Sequence, residues 1–200
     1  MSEAARSHVD LREACVDEAM RIIRDVGIEG LSLREVARRL GVSHQAPYRH
    51  YPSRDHLLAE VVDRCFRGFD AFLAEVAATD DPRADLQTMG MRYLEFARTH
   101  PLEYRLMFGA RLPDPGQHPK MMEKGCGAFD QLRGCLARVI DAPVEAPAVT
   151  LEAMFVWSTI HGLASIYETE AMAGLGIDGA VQRAVSEHVL QRIGDALPLK

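Results

Sequence analysis

Two hundred residues suffice for one ordinary domain, or for a small module joined to a larger one, and an apolar share of 48% excludes a disordered chain. The net charge of −6 argues against a nucleic-acid partner only on average, because binding depends on where the charge lies. Residues 34–54 contain five arginines and a single acid, so this segment is basic. A basic segment fits a DNA-reading module on an acidic body, and it equally fits a solvated helical face. The arginines are Arg34, Arg38, Arg39, Arg49 and Arg54, and the acid is Glu35.

The cysteine pattern and the hydropathy indicate a reducing, aqueous compartment. The cysteines form no CxxC pair and lie in apolar-periodic stretches, which predicts core residues rather than disulfides. No run approaches the roughly 18 apolar residues of a membrane span, and the polar N-terminus lacks the hydrophobic region of a signal peptide. We therefore expect a cytoplasmic protein with no membrane partner. The cysteines are Cys15, Cys65, Cys126 and Cys135.

Apolar residues recur at intervals of three and four along the chain, and alternating β-branched runs are missing, so the sequence predicts an all-α fold. A first helix is expected over about 8–26, ending before Gly27. Ser32 can cap a short second helix that Gly41 ends, and Ser43 can cap a third that ends near His50. A long fourth helix is expected over about 54–77. Further helices are expected over about 83–99, 101–109, 118–140, 145–173 and 178–196, which makes about nine in all.

The segment 31–58 carries the functional signal. Two short amphipathic helices are joined by a tight turn at Gly41, which is the helix-turn-helix arrangement whose second helix can enter a DNA major groove. Helix N-termini and capping hydroxyls such as that of Ser43 donate to phosphates, and arginines neutralise phosphate charge. His44 and Gln45 can reach base edges.

Here the sequence resembles the TetR/AcrR family of regulators, over about residues 8–60. The marks are Gly41-Val42-Ser43, Tyr48-x-His50-Tyr51, Pro52-Ser53-Arg54 and Leu57 at fixed spacing. The resemblance implies a helix-turn-helix DNA-binding domain over residues 1–54, connected by the fourth helix to an effector-binding and dimerisation domain over 55–200. It implies phosphate contacts at Ser32 and Arg34, backbone contacts at Tyr48, His50 and Arg54, and base reading at His44, Gln45, Ala46 and Arg49.

Pro47 departs from the pattern, since the family often has leucine or valine there. Proline has no N–H, so it cannot close the first intrahelical bond after a cap at Ser43. Proline is tolerated within a first helical turn. We therefore expect the third helix to start late or to be slightly distorted, which affects the choice of base-reading residues.

The second half resembles a C-terminal domain of one family branch that is named after its Trp-His-Gly signature, here Trp157-x3-His161-Gly162. Trp157 and His161 can touch on one helical face because they are four residues apart. Gly162 weakens a helix, which suggests the close approach of another helix or a packing contact. His161 is either a buried structural histidine or part of an effector site. The resemblance places the dimer interface in this region, with Ile160, His161, Ala164, Val189 and Ile193 as candidates.

Methionines and aromatic residues are concentrated in the second half. Flexible thioethers adapt to varied apolar shapes, so this composition suits a hydrophobic effector pocket. An all-helical core without a ligand needs the same residue types, and both interpretations stay open. The residues expected in a pocket are Phe96, Tyr104, Met107, Phe108, Met122, Phe129, Met154 and Trp157.

These expectations describe a ligand-responsive transcriptional regulator. We expect a repressor that binds a palindromic operator of double-stranded DNA as a homodimer and is released by a small, largely apolar effector. The alternatives are an activator, or a helical interaction protein with the same fold. An enzyme is not indicated, since the sequence has no HExxH, GxSxG, P-loop, or GxGxxG after a strand. Neither a cofactor nor a metal site is expected, because the histidines do not form a metal-ligand pattern.

Overall fold

A computed structural model describes residues 3–75, 77–109, 112–167 and 174–198, with side chains from residue 11 onward except those of residues 122, 124 and 125. Within these ranges the chain has eight α-helices and no strand, which confirms the predicted all-α class. Two 3₁₀ turns lie between the first helices, at Ile28–Gly30 and Pro47–Arg49. The helices are α1 (Glu3–Val26), α2 (Leu33–Leu40), α3 (Arg54–Ala74), α4 (Pro82–Thr99), α5 (Pro101–Phe108), α6 (Pro119–Ile140), α7 (Pro147–Tyr167) and α8 (Gly179–Ala196).

The observed boundaries differ from the predicted ones at a few places. Helix α1 begins at Glu3, earlier than residue 8, and the predicted fourth helix is α3, which ends at Ala74 instead of near 77. The expected third helix over Ser43–His50 is wrong as an α-helix, because only the 3₁₀ turn at Pro47–Arg49 forms there. The helix predicted over 145–173 is α7, and its last part, 168–173, lies outside the described residues.

The chain forms two compact units. The first contains Met1–Phe66 and Arg105–Glu123, and the second contains Arg67–Tyr104 and Lys124–Lys200. Helix α3 runs through both units, since its residues before 67 belong to the first and its later residues to the second. The domain boundary that we predict near residue 54 stays a prediction.

In the first unit, local capping signals fix the short helix α2. The Ser32 hydroxyl accepts a hydrogen bond from the backbone N–H of Glu35 at 3.1 Å, and Gly41 closes the helix in the left-handed conformation at φ 67°. Helix α2 packs on α1 and buries three side chains, those of Leu33, Val36 and Ala37. Ion pairs join α1 to α3, one of them between Arg12 and Glu60 at 2.6 Å.

In the second unit, α4 packs against α7 and α8. Helices α4 and α8 approach closely at Gly90, where a Cβ atom would overlap the Leu190 side chain unless that side chain moved. The guanidinium of Arg83 donates to the backbone carbonyls of Gly194 at 2.8 Å and of Pro198 at 2.9 Å, and so holds the end of α8 beside the start of α4.

Helix α7 is unusually apolar. Among the described residues it is the one helix long and apolar enough to cross a membrane, and 28% of that 18-residue window is buried. Length and composition alone are weak grounds, since core helices of soluble proteins share them. Its buried side is a regular stripe, and the three central members are Ala153, Val156 and Ile160.

Three of the four cysteines are buried, as predicted. The prediction is wrong for Cys126, which is exposed on α6.

Candidate nucleic-acid interface and a buried polar cluster

The segment Ser43–His50, which we call the recognition segment, is built by short-range hydrogen bonds. The backbone N–H of Ala46 donates to the carbonyl of Ser43 at 2.9 Å, and that of His50 donates to the carbonyl of Pro47 at 3.0 Å. These bonds span three residues, the 3₁₀ spacing. Pro47 has no N–H for the four-residue bond to Ser43, which explains why an α-helix does not form.

The recognition segment exposes most of its polar side chains. Pro47 is buried and anchors the segment, and Ala46 is half-buried. The Tyr48 side chain is 41% exposed although it is large and aromatic. Exposed aromatic and polar groups on so short a segment leave hydrogen-bonding capacity for a partner. The exposed members are Ser43, His44, Gln45, Tyr48 and Arg49.

The arginines near this segment fall into two groups. On α2, Arg38 makes two hydrogen bonds to the Glu35 carboxylate at 2.7 and 2.8 Å, and Arg39 contacts both Glu35 at 3.0 Å and Asp25 at 2.6 Å. Arg34 and Arg49 are exposed, and neither has an acidic partner among the described residues. The cations available for an external anion are therefore fewer than the five arginines of the sequence.

The ion pairs on α2 also act on the acid that they share. Hydrogen bonds from Arg38 and then from Arg39 lower the pKa of Glu35 to about 2. Glu35 is thus a carboxylate at neutral pH, and its charge is matched by these two arginines.

Arg54, an expected DNA-backbone contact, makes internal hydrogen bonds. Its Nε donates to the carbonyl of Leu31 at 3.0 Å, and its Nη2 donates to the carbonyl of Ile28 at 2.7 Å. Its Nη1 lies 3.6 Å from the Asp55 carboxylate. The guanidinium therefore holds the turn that precedes Ser32 and the start of α2. Contact with DNA at Arg54 stays a prediction, and the geometry adds a positioning role.

His50 ends the recognition segment and Tyr51 follows it, and the two side chains are buried to different degrees. The Tyr51 side chain is 2% exposed, and its hydroxyl donates to the carbonyl of Arg12 at 3.1 Å. Burial raises the pKa of Tyr51 to about 12. Tyr51 is therefore a core residue that ties the segment to α1. His50 is half-buried, with its ring centroid 6.5 Å from that of Tyr51.

The second unit brings together three expected site residues, Tyr104, Trp157 and His161, with Tyr93, which was not among the expected site residues. The hydroxyls of Tyr93 and Tyr104 lie 2.9 and 2.7 Å from Nδ1 of His161, and 3.2 Å from each other. The Trp157 ring packs beside that of His161. We call Tyr93, Tyr104, Trp157 and His161 the tyrosine–histidine cluster; it joins α4, α5 and α7.

Burial sets the protonation of this cluster. Tyr93 and Tyr104 are 8% and 3% exposed, and burial raises the pKa of Tyr93 well above its usual value. Burial also lowers the pKa of His161, which favours the neutral imidazole. The Trp157 and His161 rings are 5.9 Å apart, in keeping with their expected contact on one helical face.

The expected effector residues are divided between the two units. Phe96 and Tyr104 are buried in the second unit, and Phe129 lies 5.9 Å from Trp157 between ring centroids. Met154 is 45% exposed on α7. Met107 and Phe108 belong to the first unit, where Phe108 lies 5.9 Å from Phe66. The Met122 side chain lies outside the described residues.

The expected dimer residues are mostly internal. Ile160, Ala164 and Ile193 are 3%, 1% and 2% exposed within the single chain, and His161 and Val189 are half-buried. A partner cannot contact the first three without rearranging the core, because they pack inside the unit. The apolar side chains that α7 exposes are Leu151, Met154, Phe155, Ile166 and Tyr167.

Comparison with known proteins agrees with this architecture. The family described as "Bacterial regulatory proteins, tetR family" matches residues 16–61, and "Tetracyclin repressor-like, C-terminal domain" matches residues 86–192, more than half of the chain. These two matches define the class as a helical chain with a tetR-type regulatory domain followed by a tetracycline-repressor-like C-terminal domain. The chain belongs to the TetR family. The C-terminal match does not confirm the Trp-His-Gly branch, which stays a prediction.

Three relatives illustrate the likeness. An HTH-type transcriptional regulator of Mycobacterium tuberculosis is 30% identical over 152 residues, which are 72% of this chain and 58% of the relative. The tetracycline repressor protein class C of Escherichia coli is 45% identical over 47 residues, 24% of this chain and 22% of that protein. A solved structure from Rhodococcus sp. RHA1 has a TM-score of 0.78 at 27% identity, covering 94% of this chain and 96% of that one. The chain thus matches just over half the length of its mycobacterial relative.

Proposed function

We propose that the protein is an effector-controlled transcriptional repressor of the cytoplasm that binds a palindromic operator as a homodimer. The observation that carries the proposal is the set of exposed groups on the recognition segment, together with the exposed Arg34, which has no acidic partner among the described residues. Ser43, His44, Gln45, Tyr48 and Arg49 present donors, acceptors and a cation on one short segment. Arginine and tyrosine suit phosphates, and histidine and glutamine suit base edges.

The short 3₁₀ geometry limits how many residues read bases. With Pro47 buried as an anchor, the side chains before it, His44 and Gln45, are proposed to face the bases. Tyr48 and Arg49 follow the proline and are proposed to hold the phosphate backbone or the adjacent base. Arg38 and Arg39 are assigned no DNA contact in this proposal, since their guanidinium groups already bind Glu35 and Asp25.

Dimerisation is proposed to use the exposed face of α7. Leu151, Phe155 and Ile166 on this face are 70%, 41% and 47% exposed, a large apolar exposure for a single helix. Gly162 faces open space, since a Cβ atom there would meet nothing within 4 Å. A partner helix could approach closely at this glycine. Two-fold pairing would set two recognition segments about 34–36 Å apart, one turn of DNA.

Effector control is proposed to act through the second unit. An apolar molecule bound near the tyrosine–histidine cluster would favour one arrangement of the helices and so alter the separation of the two recognition segments. Helix α3 is the covalent route for this change, because it belongs to both units.

The proposal is tested by selecting binding sites from a random double-stranded library with purified protein. We expect an enriched palindrome with half-sites one helical turn apart, and lower transcription from a promoter that carries it when the protein is present. The test variant Arg49→Ala should recover less of this DNA, and Arg38→Ala, whose guanidinium is paired with Glu35, is the matched control. Selection of no preferred sequence, or equal recovery by Arg49→Ala and the unsubstituted protein, would contradict the proposal.

A further inference from the structure

Two histidines of the first unit lie against each other although they are far apart in the chain. His56 is in the first turn of α3, and His118 directly precedes α6. Their ring centroids are 4.8 Å apart, and their planes make an angle of 88°. His56 is exposed and His118 is half-buried, and both belong to the first unit. Two imidazole rings therefore meet where an ion can reach them from water.

The separation of the two rings suits a shared metal ion. A zinc ion lies about 2.0–2.1 Å from an imidazole nitrogen, which puts the ring centroid about 3.2 Å from the metal. At ligand–metal–ligand angles of about 90–110°, two such centroids are about 4.5–5.2 Å apart. The observed 4.8 Å falls within this interval. The terminal torsion of a histidine side chain is broad, so a rotation can turn a nitrogen of each ring toward the ion.

A hydrogen bond orients one of the two rings. Nδ1 of His56 lies 2.8 Å from the Ser53 hydroxyl. When Nδ1 carries the proton, the Ser53 oxygen accepts it, and the lone pair of the imidazole is at Nε2. A ligating histidine usually makes such a bond with its other nitrogen, which fixes both the ring and its tautomer. Nε2 of His56 and the ring nitrogens of His118 have no hydrogen-bond partner in the part of the chain that the structure describes.

We propose that His56 and His118 bind a divalent transition-metal ion such as Zn²⁺, with water molecules as the remaining ligands and Ser53 as a positioning residue. Imidazole is a ligand that suits Zn²⁺, Ni²⁺ and Cu²⁺. The described residues contain no group of three or more histidine, cysteine, aspartate or glutamate side chains that could hold a metal. The site therefore has two protein ligands and binds zinc less tightly than a structural site with four.

The bound ion joins the first turn of α3 to the segment before α6. The sequence predicts no metal site, because no local pattern brings these two histidines together. The inference goes beyond the proposed function and does not depend on it, since metal binding needs neither DNA nor an effector.

The test titrates zinc chloride into purified, chelator-treated protein by isothermal titration calorimetry. We expect Ser53→Ala to weaken zinc binding about tenfold, the lower end of the effect of losing a hydrogen bond to a ligating histidine. His56→Gln and His118→Gln each remove a ligand and should weaken zinc binding further. His188→Gln is the matched control, because His188 is an exposed histidine on α8. The control should bind zinc as the unsubstituted protein does.

Thermal unfolding provides a second measurement. An ion that binds the folded chain stabilises it by mass action, so zinc should raise the Tm of the unsubstituted protein and of His188→Gln, and raise it much less in the two histidine variants. Circular dichroism without zinc establishes that every variant is folded.

Three results would overturn this inference: no zinc binding by the unsubstituted protein, equal zinc affinity in the two histidine variants and the control, or a loss in only one of the two variants. The last result excludes chelation, which needs both rings. Each of the first two would show that the rings only pack edge-on, as aromatic pairs do.

Discussion

Replacing Arg54 with lysine separates a positioning role from a phosphate contact. Arginine reaches the Leu31 and Ile28 carbonyls with two nitrogens at 3.0 and 2.7 Å, a geometry that one ammonium group cannot reproduce. A hydrogen bond from a charged group contributes about 1.5–3 kcal/mol. The Arg54 side chain is 37% exposed, so water screens part of that effect. We expect Arg54→Lys to lower the free energy of unfolding by about 2 kcal/mol, roughly 4–8 °C in Tm for a chain of this size.

DNA binding distinguishes the two roles of Arg54 more sharply. If the residue acts by holding the turn before α2, Arg54→Lys weakens operator binding by about tenfold, about 1.4 kcal/mol, while the salt dependence stays nearly unchanged. If Arg54 itself neutralises a phosphate, lysine keeps most of the affinity. Arg54→Met then lowers the slope of log K against log salt by about 2 per dimer. The assay is fluorescence anisotropy with a selected operator at four salt concentrations.

A double-mutant cycle with Arg34 completes the test. Arg34 lies in the first turn of α2, directly after the turn that Arg54 holds. We expect the effect of Arg54→Lys on DNA affinity to shrink markedly in an Arg34→Ala background, because the positioned contact is already absent. Additive effects of the two substitutions, or an Arg54→Lys protein with unchanged stability, would refute the positioning role.

Two further predictions concern the dimer and the response to acid. Gly162→Leu should leave the single chain folded, because a Cβ atom there meets open space, and should shift sedimentation toward the monomer; a stable dimer would contradict the proposed α7 interface. Arg38 and Arg39 lower the pKa of Glu35 to about 2 in the folded protein. The ionised Glu35 therefore stabilises the fold fully above the unfolded-state pKa of about 4.3, and this stabilisation is lost as pH falls from there toward 2. The difference in unfolding free energy between the unsubstituted protein and Glu35→Gln should therefore shrink between about pH 5 and pH 2 in urea titrations, and a constant difference would refute the ion-pair account.

Local signals in the sequence predicted the parts of the fold that depend on neighbours in the chain. Helix α2 begins after Ser32 and ends before Gly41, as expected, because a capping residue acts on backbone groups only a few residues away. Pro47 likewise predicted a distorted third helix, because it has no N–H to donate a hydrogen bond to the Ser43 carbonyl. The pairing of Arg38 with Glu35 was not predicted, although residues three apart are neighbours on a helix.

Contacts between distant residues could not be predicted from the sequence. The sequence predicts a DNA contact for Arg54, because the carbonyl groups that it binds lie 23 and 26 residues earlier in the chain and leave no local signal. Tyr93 and His161 are 68 residues apart, so no local pattern brings them together. The same limit applies to the dimer candidates, because the resemblance placed Ile160 and Ala164 in the interface region but did not show that the chain itself buries their side chains.

The measurement that tests the central claim most directly is the salt dependence of operator binding by three single variants. Arg34→Ala and Arg49→Ala remove exposed arginines, and Arg38→Ala, the control, removes one that is paired with Glu35. We predict that each of the first two lowers the slope of log K against log salt by about 2 per dimer, the loss of one phosphate contact per protomer, whereas Arg38→Ala leaves it nearly unchanged. An equal loss for all three variants, or no loss for Arg34→Ala and Arg49→Ala, would contradict the assignment of this surface to DNA.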